Sequence, residues 1–185
     1  MKRRGQVKSE PDFCQGEDSH ALGVLRVQQV ASIGAYAVFG NRKRQLKKFV
    51  KDSGYIEDTL AAWRSAEHRI AVLAAGRVVG FGMSQTVAAG EAAIMRMYVH
   101  PEFQNRKIGR DLLALLEAPF AGRRITVVTT QGTGAEKFYA NGGYEPSGEP
   151  QPTPTRPLEY GVYLPQVQYV KQAVMQEKVV EFTTD

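Results

Sequence analysis

The sequence has a single cysteine, Cys14, and a single tryptophan, Trp63, in 185 residues. One thiol excludes an internal disulfide framework and a thiolate metal cluster. Cys14 lies in a polar segment beside Asp12 and Glu17, with little around it to depress its pKa, and reads as an incidental free thiol. The three histidines, His20, His68 and His100, show no paired spacing and no H-E-x-x-H arrangement, so no metal is expected. No apolar run approaches the roughly 20 residues of a membrane span. The basic opening MKRRGQVKSE is not followed by the apolar stretch of a secretory signal. The expectation is a cytoplasmic protein with no membrane partner. No internal repeat is visible, and the length suits one core rather than two.

Positive charge, by contrast, is in excess and concentrated. The formal net charge is +5; Lys2, Arg3, Arg4 and Lys8 crowd the start, and Arg42, Lys43, Arg44, Lys47, Lys48 and Lys51 fill one short stretch. Such a run is first of all a solvated helix face, and secondarily an attractor for polyphosphate, nucleic acid or an acidic surface. A nucleic-acid partner has the weaker case, because the run lacks interleaved aromatics and any recognised binding motif.

Hydrophobic periodicity orders the rest. Residues 1–20 are aperiodic and read as a mobile N-terminal tail. Residues 21–172 form one domain, and residues 173–185 are a C-terminal extension of uncertain structure. ALGVLRVQ (21–28) suits a first strand, followed by helical pieces at 29–39, after Asn41, and at 56–68 beyond Gly54. Ile70 to Phe81 reads as a hairpin about Ala75-Gly76, and residues 91–99 as a strand stopped by Pro101. A helix over 106–118, a β-branched strand over 125–129 and a brief helix over 133–141 closed by Gly142-Gly143 follow. Tyr144 opens another strand, Pro150, Pro152, Pro154 and Pro157 mark a loop, and Val167 and Tyr169 mark the last strand. The fold class expected is α/β (α+β). It would be a mixed, mostly antiparallel central sheet of six to seven strands with helices on both faces.

Chemistry is concentrated in MRMYVHPEFQNRKIGRDLL, residues 95–113. A strand ends, a short loop carries Gln104 to Gly109, and an amphipathic helix starts at once. A helix start offers unpaired N–H groups and the positive end of its dipole, which favour a bound phosphate. Gly109 leaves room for close approach, and Arg106, Lys107 and Arg110 add positive charge at the same turn.

This segment resembles the cofactor motif of the GNAT superfamily of acyl-CoA-dependent N-acetyltransferases, R/Q-x-x-G-x-G/A after a strand ending much like Leu-Tyr-Val-x-Pro. Here it reads Met97-Tyr98-Val99-His100-Pro101 and then Gln104-Asn105-Arg106-Lys107-Ile108-Gly109. A second family block appears as AEKFYANGGY, residues 135–144. The similarity covers about residues 70–145. It implies acetyl-CoA as co-substrate, no metal, and transfer of the acetyl group to a primary amine of a small molecule or peptide in a ternary complex. Backbone groups of Met97 and Val99, flanking Tyr98, would pair with the pantetheine arm. The N–H groups from Asn105 through Arg106, Lys107, Ile108 and Gly109 to Arg110 would hold the pyrophosphate. Tyr139 would protonate the departing thiolate, a role that suits a positioned phenol.

The chain departs from the family in three places. Lys107 stands at the first glycine of the motif, where an already helical backbone would accept it without cost. An Asn common near the second block is missing, with Gln131 or Thr133 as substitutes. The glutamate base common in the fourth strand is Ala93 here; Glu91, two residues earlier on the same face, is the provisional base. The helices after the first strand and the loop at 146–160 would shape the acceptor groove, with Tyr36, Phe39, Tyr55, Trp63 and the basic run on one side. A basic wall would favour an acidic acceptor. A catalytically degenerate CoA-binding or partner-binding module of the same fold is the main alternative, and a homodimer stays open as an assembly.

Overall fold

The computed structural model describes residues 10–36, 43–151 and 165–173. In chain order they form strand β1 (Asp12–Gln15) and helices α1 (Ala21–Ala35), α2 (Lys43–Phe49) and α3 (Ser53–Ser65). Strands β2 (His68–Ala74), β3 (Arg77–Ala88) and β4 (Glu91–Val99) follow, then helix α4 (Ile108–Glu117), strand β5 (Arg124–Thr130) and helix α5 (Gly134–Asn141). Strands β6 (Glu145–Gln151) and β7 (Gln166–Lys171) complete the described chain. The strands make one seven-stranded sheet in the order β1-β2-β3-β4-β5-β7-β6. Every pairing is antiparallel except β4 with β5, which gives the mixed sheet expected. Ala75 and Gly76, with φ of 49° and 70°, close the β2–β3 hairpin in the left-handed region that a two-residue turn between twisted strands requires.

Alternation along the strands sends side chains to two cores. On one face Val72, Val79, Ile94 and Val127 pack against Ile108, Leu112 and Leu116 of α4. On the other, Ala71, Phe81 and Met83 pack against Val24 and Val27 of α1 and Trp63 of α3. Trp63 is fully buried; its indole N–H donates to the Glu17 carbonyl at 2.9 Å and its ring meets Phe81 edge-on. Cys14 sits in β1 against this second core, and burial pushes its thiol pKa up, with the Asp12 and Glu17 charges adding to the effect.

Four local readings are corrected. Residues 21–28 are the start of a helix: over eight residues the pattern suits either period, but Ala21, Val24, Val27, Gln28 and Ala31 make one buried stripe at helical spacing. Asp12–Gln15 inside the expected tail pairs with Gln15↔Ile70 to Asp12↔Leu73 as an edge strand. Gly54 does not interrupt α3: Asp52 caps the helix, its Oδ1 accepting from the N–H groups of Gly54 and Tyr55 at 3.0 and 3.4 Å. Pro146 and Pro150 lie within β6, where the outermost place in the sheet tolerates a missing ladder donor. Asn41, Phe39, Pro152, Pro154 and Pro157 lie outside the described residues.

Candidate active site

A bulge opens the sheet. Met83 pairs with Arg96 and Ser84 with Ile94, so Met95 is an extra residue in β4. A bulge bends its strand and raises the local twist. The parallel pairing with β5 ends at that point, with Ile94 opposite Val127. Beyond it β4 and β5 part, and a groove of about 1150 Å³ fills the gap.

The β4 side of the groove is a free strand edge. The N–H of His100 donates to the Val79 carbonyl of β3 at 2.8 Å. Alternation along the strand therefore aims the N–H and C=O of Met97 and Val99 away from β3, into the opening. The Val99 carbonyl is met there by the Gln104 side-chain amide at 3.0 Å.

The loop into α4 continues this wall. None of the backbone N–H groups from Asn105 through Arg110 finds a hydrogen-bond acceptor among the described residues; the first bonded N–H of the helix is that of Asp111, to Lys107 O. Six consecutive free donors at a helix start form an anion cradle. Asn105 (φ 61°) and Lys107 (φ 67°) adopt the left-handed conformation that turns these donors inward. The helical backbone expected at Lys107 is thus corrected: its glycine-preferring φ costs about 1 kcal/mol or more in a lysine. Gly109 is tight for another reason, since an added Cβ would lie 3.2 Å from the Phe138 ring. Lys107 and Arg110 line the groove. The Arg106 side chain turns back to the Glu102 carbonyl at 2.9 Å and over the Phe103 ring, and Ile108 is buried in the core, so these two contribute through backbone only.

Tyr139 reaches the groove from α5. Its ring is 95% covered, edge-on to Phe138 and Tyr144, while its hydroxyl engages no protein group among the described residues and retains access to the groove. Burial alone pushes its pKa well above the ordinary phenol value. A phenol that stays protonated, with its proton uncommitted, is a donor waiting for an acceptor. Thr133 lines the groove, with its hydroxyl on the Thr130 carbonyl, whereas Gln131 does not line it.

The facing wall comes from α1 and α3. Tyr36, Tyr55 and Asp58 line it together with Gln28, and Arg96 of β4 enters from the same face of the sheet. Arg96 Nη1 donates to Gln28 Oε1 at 3.2 Å and Thr59 Oγ1 at 2.9 Å. Gln28 Nε2 in turn reaches the Tyr55 hydroxyl at 3.0 Å. Burial raises the pKa of Tyr55 and of Tyr98, with the Arg96 guanidinium acting weakly in the opposite sense. Tyr98 points its ring to this face, stacked on Phe81, so it does not share the backbone-binding side of its neighbours. Trp63 is core rather than wall. Arg44, Lys47, Lys48 and Lys51 are exposed and absent from the lining, while Leu46 and Phe49 of α2 face the groove.

Glu91 is not brought to the groove. It lies at the closed end of β4, where pairing with β5 is intact, and its carboxylate is held 3.1 Å from Arg124. Strand geometry puts it about 20 Å from Met97. The provisional base is therefore corrected on position. Arg96 and Asp58 were not singled out in the sequence. The signal for Arg96 was a charge within the run AAIMRMYV, which is otherwise without charge after Glu91. Asp58 carried no comparable signal.

Among the described residues no cluster of His, Cys, Asp and Glu could hold a metal, and no helix is long and apolar enough to cross a membrane. Residues 65–146 match the family model described as acetyltransferase (GNAT) domain. No curated protein matches the sequence significantly. Among solved structures, the chain is similar to the PaiA N-acetyltransferase of Thermoplasma acidophilum in complex with coenzyme A (14% identity, 88% of this chain and 99% of that one, TM-score 0.64). It is also similar to a GCN5-related N-acetyltransferase from Rhodopseudomonas palustris (22%, 91% and 99%, TM-score 0.66). A third relative in fold is the ribosomal-protein-S18-alanine N-acetyltransferase of Escherichia coli (16%, 94% and 100%, TM-score 0.61). At these identities the likeness is one of fold.

Proposed function

We propose that this chain, whose residues 65–146 match the model of the GNAT acetyltransferase domain, transfers an acetyl group from acetyl-CoA to a primary amine of a small molecule or peptide within a ternary complex. The observation that carries this reading is one groove lined by six N–H donors and a Tyr139 hydroxyl that have no partner among the described residues, beside the open edge of β4.

The donors from Asn105 to Arg110 fit a pyrophosphate, with Lys107 and Arg110 adding charge. The inward N–H groups of Met97 and Val99 fit an amide-bearing arm laid alongside β4, the Gln104 amide giving up the Val99 carbonyl to it. Acetyl-CoA supplies a thioester, an activated acyl group with a thiolate leaving group. The N–H of Met97 or Val99 polarises a carbonyl placed at the splay. Tyr139 donates its proton to the leaving sulfur, for which its raised pKa keeps it ready. With Glu91 remote, the amine proton passes to water or to Asp58, which lines the acceptor wall.

The second reading, a module that binds CoA without turnover, is favoured by Ala93 at the usual base position and by strained Lys107. One experiment separates them. A ligand bound only by the folded state stabilises it by about 2.7 kcal/mol at 100 times Kd, so acetyl-CoA raises the Tm. Thiol release over a panel of amines then reports turnover. Stabilisation without thiol release leaves the binding module, and no stabilisation at millimolar acetyl-CoA removes both.

A further inference from the structure

The acceptor wall contains a cation whose counter-charge is missing. Arg96 is half-buried, yet it meets no carboxylate among the described residues. Other half-buried cations do: Arg69 reaches Asp18 at 2.9 Å, Arg124 reaches Glu91 at 3.1 Å, and Lys171 reaches Glu117 at 2.8 Å. Arg123, also without a carboxylate among the described residues, lies outside the groove over the Phe120 ring, with Thr86 Oγ1 at 3.1 Å. Among the half-buried cations of the described residues, Arg96 alone combines a missing counter-charge with a place in the groove. Partly burying a charge is costly unless something pairs with it.

Its remaining valence has a definite shape. Both hydrogens of Nη1 are spent, one on Gln28 Oε1 and one on Thr59 Oγ1. Thr59 is fully buried and anchored to the Tyr55 carbonyl at 2.8 Å, so the guanidinium is held in place by neutral groups. The Nε and Nη2 hydrogens have no acceptor among the described residues. That edge of a guanidinium is a planar two-pronged fork matched to two oxygens of a carboxylate. Arg96 is the strand neighbour of Met97, whose N–H faces the site of transfer, so an anion held by the fork lies close to the reacting amine. Asp58 lines the same wall and is not ion-paired with Arg96. An acceptor with an amine at one end and a carboxylate at the other complements both charges.

We propose that the free Nε–Nη2 edge of Arg96 receives the carboxylate of the acceptor, so that the substrate is a small amine bearing a carboxylate, such as an amino acid. This rests on reading the groove as an acetyltransferase site, and it names the substrate class of that site. Arg44, Lys47, Lys48 and Lys51, which are exposed and outside the groove lining, have no part in it.

The test compares α-amino acids, β-alanine and γ-aminobutyrate, each with its own carboxamide, by thiol release and by ligand-observed NMR binding to the full chain. The amine of an α-amino amide is less basic, so more of it is neutral and an unassisted site favours the amide. The wild type is expected to favour the acid by about tenfold to a hundredfold, the range of a charge-assisted hydrogen-bonded pair. Arg96→Gln removes that preference while acetyl-CoA affinity stays the same. Arg96→Lys keeps the charge, cannot present the fork, and loses most of the preference, which covers failure of the glutamine variant to fold. Equal or better binding and use of the amides by the wild type overturns the proposal. So does an undiminished acid preference in either folded variant. Absence of acetyl-CoA binding strikes the acetyltransferase reading instead, and the NMR comparison of acid with amide still decides the role of Arg96.

Discussion

The two walls of the groove recognise by different means. The wall from β4 and the start of α4 presents backbone: inward N–H groups of Met97 and Val99 and the free donors from Asn105 to Arg110. The wall from α1 and α3 presents side chains: Tyr36, Tyr55, Asp58 and, from the strand between, Arg96. Backbone donors are the same whatever residue carries them, so that wall needs only a strand edge, a bulge and a helix start in the right order. Side-chain recognition needs particular residues from separate elements. The first wall therefore suits a co-substrate shared across a fold, and the second suits an acceptor peculiar to one chain.

Tyr139 stands between the walls and gives the largest effect. Tyr139→Phe keeps the ring and its edge-on contacts, and its hydroxyl has no partner to lose among the described residues. Acetyl-CoA affinity stays level while kcat falls by roughly 10²–10⁴-fold, the usual share of a general acid. Burial raises the phenol's pKa above its ordinary 10, so the group remains protonated and the loss is the same from pH 6 to pH 10. Parallel kcat–pH profiles of wild type and variant check this. Full turnover by the variant reduces Tyr139 to packing, with water as the proton source.

Next comes a substitution confined to the backbone wall. Gly109→Asp puts a carboxylate at the helix start, where it repels phosphate, and its Cβ presses on Phe138. Acetyl-CoA affinity should fall by about tenfold or more, a charge effect on the scale of a charged hydrogen bond. Gly109→Ala adds the same Cβ without charge and separates crowding from repulsion. Calorimetric titration with acetyl-CoA reads both. Unchanged affinity in a folded Gly109→Asp places the phosphates elsewhere.

The side-chain wall is probed one step behind Arg96. Thr59→Val keeps volume but deletes an oxygen that accepts from Arg96 and Gln28 and donates to the Tyr55 carbonyl. Leaving buried donors unpaired costs about 1–3 kcal/mol, read as a lower Tm. The KM for the acceptor should rise several-fold through a mispositioned Arg96, while acetyl-CoA affinity holds. A shift in both affinities would join the walls into one unit and end the comparison.

The same contrast explains what the sequence disclosed. The β2–β3 hairpin, β4, α4 and the 104–109 loop were legible because period, turn residues and the helix start are local signals. Residues 21–28 were misread because eight residues fit two periods and only Ala31 and Ser32, farther on, settle the helix. The β1 strand was missed because DFCQ gains its stability from pairing with β2, more than fifty residues away. Arg96, Gln28 and Thr59 meet across three elements, and no spacing in the chain joins them. Glu91 was assigned from strand parity, which gives the face of a strand and not the distance along it.

Lys107 is the exception that tests the backbone wall itself, because there a side chain is kept at a position that disfavours one. Its φ of 67° costs a lysine about 1–2 kcal/mol relative to glycine. Lys107→Gly relieves that strain but gains unfolded-state entropy worth about 0.4–1 kcal/mol against folding. The difference leaves the variant more stable by about 0.5 kcal/mol, a small rise in Tm without ligand. Loss of the ammonium from the groove acts on binding instead. If backbone donors carry the pyrophosphate, acetyl-CoA affinity falls only a few-fold, and the deficit shrinks as salt screens the lost charge. A loss of a hundredfold that persists at high salt would mean the wall depends on this side chain after all. Increased affinity would mean that strain at Lys107 had been holding the cradle out of shape. Melting curves without ligand and titrations at two ionic strengths distinguish the three.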